Sequence, residues 1–203
     1  GHYDHTGGME YLSHTTSLKH IWAHPLATRP KYRMDGSDIG MHLPAKLTHL
    51  YTPVETNIEI LPGVWILLPA KISYQDDCHF DNLLVEENGE KKEDTFEDEL
   101  SLVIDHGESI SLFTGCAHRG ITNIIENTWQ LFDKPFQLVM GGFHLRHTSP
   151  EIRQAIISRL VFYPVSQYAV CHCTGLEAYH DMKSIMDKRI TYASVSTHLS
   201  LLS

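Results

Sequence analysis

The second half of the chain carries the more regular pattern of apolar and polar positions. Ser109 to Phe113 is an apolar run of strand length. Ile121, Ile124, Ile125 and Thr128 then recur at the spacing of one helix face. Phe136 to Met140 predicts the next strand. Ser149 stands where a helix cap is expected, with Pro150 in the first turn, and the inward face predicted beyond it is Ile152, Ala155, Ile156 and Leu160. Gln167 to Cys171 predicts a further strand. Thr174 and Glu177 have capping-box spacing for a helix through about Asp187, with Tyr179, Met182, Ile185 and Met186 on its apolar face. Tyr192 to Leu202 reads as a closing strand.

The first half is less regular. Residues 9–17 predict a short helix after Gly7-Gly8, and Lys19 to Ala23 a strand. Tyr32 to Thr52, broken by Gly36, Gly40 and Pro44, predicts a long loop or lid from which Tyr32, Arg33 or His42 could meet a substrate. Ile58–Leu61 and Val64–Leu68, split by Pro62-Gly63, predict a hairpin. Glu86 to Glu99 is densely acidic, and a solvated edge hairpin turning at Asn88-Gly89 is the expected structure. Asp98 and Glu99, just before an expected strand Leu100–Ile104, are the acidic residues placed to face a site.

Composition narrows the function classes. A chain of 203 residues with 42% hydrophobic content can bury a substantial core, and one domain over residues 1–203 is expected. The net charge of −9 argues against a broad nucleic-acid surface. It leaves room for an anionic small molecule, because bound divalent metal reverses the local field. No apolar run reaches the roughly 18 residues of a membrane helix, so no membrane partner is expected. Cys78, Cys116, Cys171 and Cys173 form no recognisable disulfide framework. With Cys116 and Cys173 beside histidines, a reducing, cytoplasmic compartment is expected.

The candidate chemistry lies in the turns. Three times the pattern runs strand, histidine, helix, giving His118, His144 and His172. In layered α/β proteins ligands gather where strands end and helices begin. The first eight residues, Gly-His-Tyr-Asp-His-Thr-Gly-Gly, add a fourth such turn. Imidazole and carboxylate at His2, Asp4 and His5 suit zinc, iron, manganese or nickel. His24, His42 and His49 have no neighbours at ligand spacing. Cys116 could ligate as a thiolate or simply pack as a small thiol.

HYDHTGG, TGCAHRG, GGFHL and HCTG together resemble the metallo-β-lactamase superfamily. Their combination looks like a subfamily of that fold which includes the methanopterin-pathway synthase joining a dihydropterin to a ribofuranosyl aminobenzene phosphate. The resemblance implies an αββα sandwich of α/β class with metals at one edge between two sheets. It implies that an N-terminal strand and a first His precede Gly1, so that the chain is a fragment. It assigns His2 and His118 to a first metal, Asp4, His5 and His172 to a second, and leaves His144 between metal and substrate. Where the family pattern often has Gly-Asp, this chain has Gly115-Cys116, which leaves the bridging group and the number of metals open.

The function this implies is a metal-dependent hydrolase, or a synthase-like transferase, using one or two divalent transition metals with zinc foremost. Asp4 would be the catalytic residue, holding or accepting a proton of the metal-activated water. Arg119 and Arg146, just after ligand turns, are candidates for binding the phosphate or carboxylate of a small substrate. Homo-oligomerisation is compatible with this reading. A non-catalytic metal- or ligand-binding module is the competing class, and a nuclease a weaker one given the acidic balance.

Overall fold

A computed structural model of the protein describes residues 1–199. Twelve strands are present among them. The main sheet contains β4 (Ile58–Leu61), β5 (Val64–Leu67), β8 (Ser101–Asp105), β9 (Ile110–Phe113), β10 (Phe136–Gly141), β11 (Val165–Val170) and β12 (Ile190–Tyr192). Their order is β12-β11-β10-β9-β8-β5-β4. Two small sheets accompany it: β1 (Ile21–Ala23) parallel to β3 (Tyr51–Pro53), and the antiparallel set β2 (Lys31–Arg33), β6 (Leu83–Glu87) and β7 (Glu90–Glu93). The α/β class expected from the sequence is the one observed.

Strands β9 to β12 are parallel neighbours, so β9, β10 and β11 end side by side. The turns beyond them are stitched together by backbone bonds. Gly142 N donates to Gly115 O at 2.8 Å, and Cys171 N to Gly141 O at 3.1 Å. Gly141 has φ +151°, and a Cβ there would lie 2.3 Å from Thr114 O. Glycine is therefore required where β10 leaves the sheet.

Strand alternation divides the core in two. Leu112, Val139, Tyr168 and Val170 face a large cluster with helices α3 (Ile121–Phe132), α4 (Pro150–Phe162) and α5 (Leu176–Met186). Their neighbours Phe113, Leu138, Met140 and Ala169 form a small cluster on the other side. Ile121, Ile124, Ile125 and Thr128 of α3 are all buried, as their spacing predicts. The hairpin β6–β7 turns at Asn88-Gly89, both at positive φ, as its sequence requires.

Several expectations are corrected. Ser149 does cap α4, accepting from Ile152 N, but the buried face is Arg153, Ile156, Ile157 and Leu160, while Ile152 is exposed. The face is rotated because Arg153 turns inward, its Nε donating to Asp181 Oδ2 at 2.6 Å. Thr174 does not cap α5, whose N-cap is Gly175. Its hydroxyl instead accepts from Phe143 N at 3.0 Å. Ile185 is exposed, and Ala178, Met182 and Met186 form the buried face. The region 32–52 is largely irregular, as expected, but carries the ends of β2 and β3 and a 3-10 turn over Ala45–Leu50. The closing strand is Ile190–Tyr192; residues 200–202 of the longer expected strand lie outside the described residues.

Candidate metal centre

Residues Tyr3–Thr6 wind into one helical turn, α1, which Thr6 Oγ1 ties back to His2 O at 2.9 Å; α2 (Met9–Thr15) follows. The turn places Asp4 and His5 together, with His5 Nε2 3.6 Å from Asp4 Oδ2. His172, arriving from the end of β11, brings Nε2 to 3.1 Å from the same oxygen. Cys116, beyond the end of β9, has its Sγ 3.0 Å from His5 Nε2. One donor atom from each of Asp4, His5, Cys116 and His172 thus lies within 4.8 Å of all the others. Cys116, His144 and Cys173 form a second group as closely set.

His2 and His118 stand beside these groups rather than in them. Their ring centroids are 5.7 Å apart, and the His118 ring lies 4.1 Å from that of His144 and stacks on Phe96 at 3.8 Å. His118 Nδ1 lies 2.7 Å from His79 O, so it donates there and Nε2 keeps the free lone pair. Glu99 holds the same turn from below, accepting from His118 N at 2.6 Å and Arg119 N at 3.0 Å. Burial drives the Glu99 carboxyl up to about 7 in spite of these two bonds.

Burial lowers the pKa of His5, against the pull of Asp4, and pushes His118 down to about 2, with His144 adding to the effect. Both are therefore neutral imidazoles at pH 7, the form that binds metal. For Asp4 burial opposes ionisation, but His5 and the His172 hydrogen bond outweigh it and hold the carboxyl below its ordinary range. Cys116 and Cys173 are linked: the hydrogen bond between them draws Cys173 well down and, with burial, raises Cys116.

This donor set fits a divalent transition metal: neutral imidazole, ionised carboxylate and polarisable sulfur. The buried nitrogens His2 Nε2 and His144 Nδ1 have no hydrogen-bond partner, although buried polar atoms are ordinarily satisfied. His2 Nε2 lies 3.5 Å from Asp94 Oδ2, too far for a hydrogen bond.

A cavity of about 580 Å³ opens over the donors, lined among others by Asp4, Arg33, Cys116, His144, Arg146 and His172. Arg146 Nη2 donates to His172 O at 3.1 Å and so stands at the rim. Arg119 does not line this cavity. Its Nε donates to Ala70 O at 2.9 Å and its Nη1 to Thr95 O at 2.7 Å, so its guanidinium joins two loops. A chamber of about 200 Å³ is lined by His2, His5, Cys116 and His118 together with Trp22, Met41, Phe96 and Glu99. A groove as large as the first, near Leu67 and Asn127, carries no metal-binding group among the described residues. The sequence pattern singled out Arg119 and passed over Cys173; adjacency to His172 was the one available sign of the latter. His79 acts through its backbone carbonyl, for which a sequence holds no signal.

The structure matches that of Tm1679, a metal-dependent hydrolase of the beta-lactamase superfamily, with a TM-score of 0.83 and 33% sequence identity over 94% of this chain and 73% of that one. The chain belongs to the metallo-β-lactamase superfamily. No protein-family model matches it. Within its superfamily it is also similar to the 7,8-dihydropterin-6-methyl-4-(beta-D-ribofuranosyl)-aminobenzene-5'-phosphate synthase of Methanocaldococcus jannaschii, at 28% identity over 198 residues. That match covers 87% of this chain, which spans only 65% of the synthase's length. An uncharacterized protein of the same organism is 29% identical, the match covering 88% of this chain and 68% of that protein. No helix among the described residues of this metallo-β-lactamase-fold chain is long and apolar enough to cross a membrane.

Proposed function

We propose that the chain is a metal-dependent hydrolase acting on a small substrate that carries a phosphate or carboxylate. One observation carries this reading: Asp4, His5, Cys116 and His172 present donors within 4.8 Å of one another, and Asp4, Cys116 and His172 line a cavity that Arg33 and Arg146 also line. Asp4, His5 and His172 would hold one divalent ion, zinc being the best match to the donors, and His2 and His118 would serve a neighbouring one. Bound there, such an ion supplies Lewis acidity and a water made nucleophilic at neutral pH.

The chain's own residues do the rest. Arg146 and Arg33 bind and orient the anionic end of the substrate through charge-assisted hydrogen bonds. Asp4 Oδ2 faces His172 and His5, which leaves Oδ1 to accept a proton as the nucleophile attacks. The carboxylate is ionised for that role, since its pKa lies below the ordinary range. His79 O and Glu99 fix the ring and the backbone of His118, so the first wall of the site is preorganised.

A synthase-like transferase is the second reading, favoured by the 28% identity to the pterin synthase. There a nucleophilic ring or amine takes the place of water and the arginines hold a phosphate. One experiment addresses both. The zinc-loaded protein and its Asp4→Asn variant are assayed on phosphoesters, on lactones, and on the paired pterin and ribofuranosyl aminobenzene phosphate substrates. Hydrolysis dependent on Asp4 supports the first reading and condensation the second. Turnover unaffected by Asp4→Asn removes Asp4 from the chemistry.

A further inference from the structure

We infer that Cys116, His144 and Cys173 form a thiolate-rich metal site, additional to the two positions proposed above, that takes a soft divalent ion such as zinc. It lies next to the Asp4–His5–His172 group and shares Cys116 with it. The inference rests on the metal-dependent reading of the centre and adds to it a ligand, Cys173, and a preference among metals.

Three observations converge. The two sulfurs and a His144 ring nitrogen lie within 4.8 Å of one another. His144 Nδ1 is buried and has no hydrogen-bond partner. The space for Cys173 is built into the chain: a Cβ on residue 142 would sit 2.5 Å from Cys173 Sγ and 3.5 Å from the Cys116 Cα. Only glycine at position 142 lets that sulfur reach the Cys116 backbone, where it lies 3.6 Å from Cys116 O.

The three donors follow three adjacent parallel strands, β9, β10 and β11, and their turns are locked to one another. Gly142 N donates to Gly115 O at 2.8 Å, Phe143 N to Thr174 Oγ1 at 3.0 Å and Arg146 N to Cys173 O at 3.3 Å. Donors held by strand ends need little rearrangement to ligate, which is what affinity requires. Two thiolates and an imidazole select zinc and similar soft ions over magnesium, calcium or manganese. With three protein donors on the cavity wall, the fourth position is open to solvent or substrate, as in catalytic zinc sites. Cys78 is a contrast: its Sγ donates to Tyr74 O and Arg119 O and belongs to neither donor group.

The test uses cobalt(II) as the probe, added to the whole chain in a phosphine reductant. Saturated wild type should show sulfur-to-cobalt charge-transfer absorption. Cys173→Ser should lose most of it together with one equivalent of metal, because the site then keeps a single thiolate. It should keep the equivalent held by Asp4, His5 and His172. Absorption without any sulfur contribution in the wild type, or an unchanged spectrum and stoichiometry in Cys173→Ser, overturns the site. A wild-type measurement guards against misfolding of the variant: alkylation of Cys173, followed by peptide mass spectrometry, should slow at least tenfold when zinc is bound. An equal rate with and without zinc also overturns it. The outcomes separate this inference from the hydrolase reading. Asp4-dependent hydrolysis with no sulfur ligation sinks the thiolate site alone, and sulfur ligation without Asp4-dependent turnover sinks the hydrolase reading alone.

Discussion

His172 Nε2 lies 3.1 Å from Asp4 Oδ2, although 168 positions separate the two residues in sequence. The parallel end of the main sheet closes this distance, and the first turn of the chain supplies the other partner. A contact so placed ties metal binding to the integrity of the whole sheet. Replacing His172 with Ala should lower metal content and hydrolysis together. Affinity should fall by at least about 10–100-fold, since loss of even an outer partner has that effect. Metal analysis after gel filtration checks it, and an unchanged stoichiometry would take His172 out of the ligand set.

Arg146 and Arg33 both line the cavity, so either change to Ala should act on substrate binding. A lost charge-assisted bond is worth about 1.5–3 kcal/mol, or roughly 10–100-fold in KM, with kcat little changed. Steady-state kinetics on an anionic substrate reads this directly. A fall in kcat at constant KM would contradict a binding role.

Arg119 should behave in the opposite manner. Its guanidinium is spent on Ala70 O and Thr95 O. Arg119→Ala should cost about 1–3 kcal/mol of stability by leaving two carbonyls unpaired, and should leave KM nearly unchanged. Urea denaturation beside kinetics separates the two effects. A large rise in KM at full stability would return Arg119 to the substrate site.

Lys31 is 1% exposed, with Nζ 2.6 Å from Asp94 Oδ2 and 3.0 Å from Asp98 Oδ1. Lys31→Met should cost about 3–5 kcal/mol, because two buried carboxylates lose their cation. Burial opposes ionisation of both acids, yet neighbouring charges and hydrogen bonds, Lys31 among them, hold each below its ordinary range. Groups depressed on folding add stability that is complete above the ordinary carboxylate range and is lost as pH falls through the folded value. Wild type should therefore lose stability in acid below that range, and Lys31→Met should lose less over the same interval. Thermal melts across acidic pH check the sign; equal acid sensitivity would leave Lys31 without this role.

Thr174→Val should loosen the centre from behind. The hydroxyl is buried and satisfies Phe143 N, one residue before His144. Its removal orphans that N–H at a cost of about 1–3 kcal/mol. Metal affinity should fall as well, since His144 and Cys173 flank the two ends of the bond. A variant of wild-type stability and metal affinity would show that the turns hold without it.

Local chemistry was legible in the sequence wherever one segment suffices to define it. The buried face of α3, the Asn88-Gly89 turn and the Ser149 cap each depend on residues within a few positions, and each stands as its pattern implies. The turns bearing His118, His144 and His172 were legible as well, because each follows an apolar run and bears glycine, and His5 was legible from its spacing to His2 and Asp4 beside Gly7-Gly8. What no local pattern contains is which side chains meet. Tertiary packing brings Cys116 against His5 and Cys173 into the space left by Gly142. Packing also assigned Arg119 to loop carbonyls, Thr174 to Phe143 N instead of a helix cap, and the His79 carbonyl to His118. A hydrogen-bonding group takes the partner that the folded neighbourhood offers, and segments distant in sequence supply that neighbourhood. The sequence by itself therefore determined the kinds of donors and their place at strand ends; the tertiary structure alone decided their grouping, their protonation and the cavity they share.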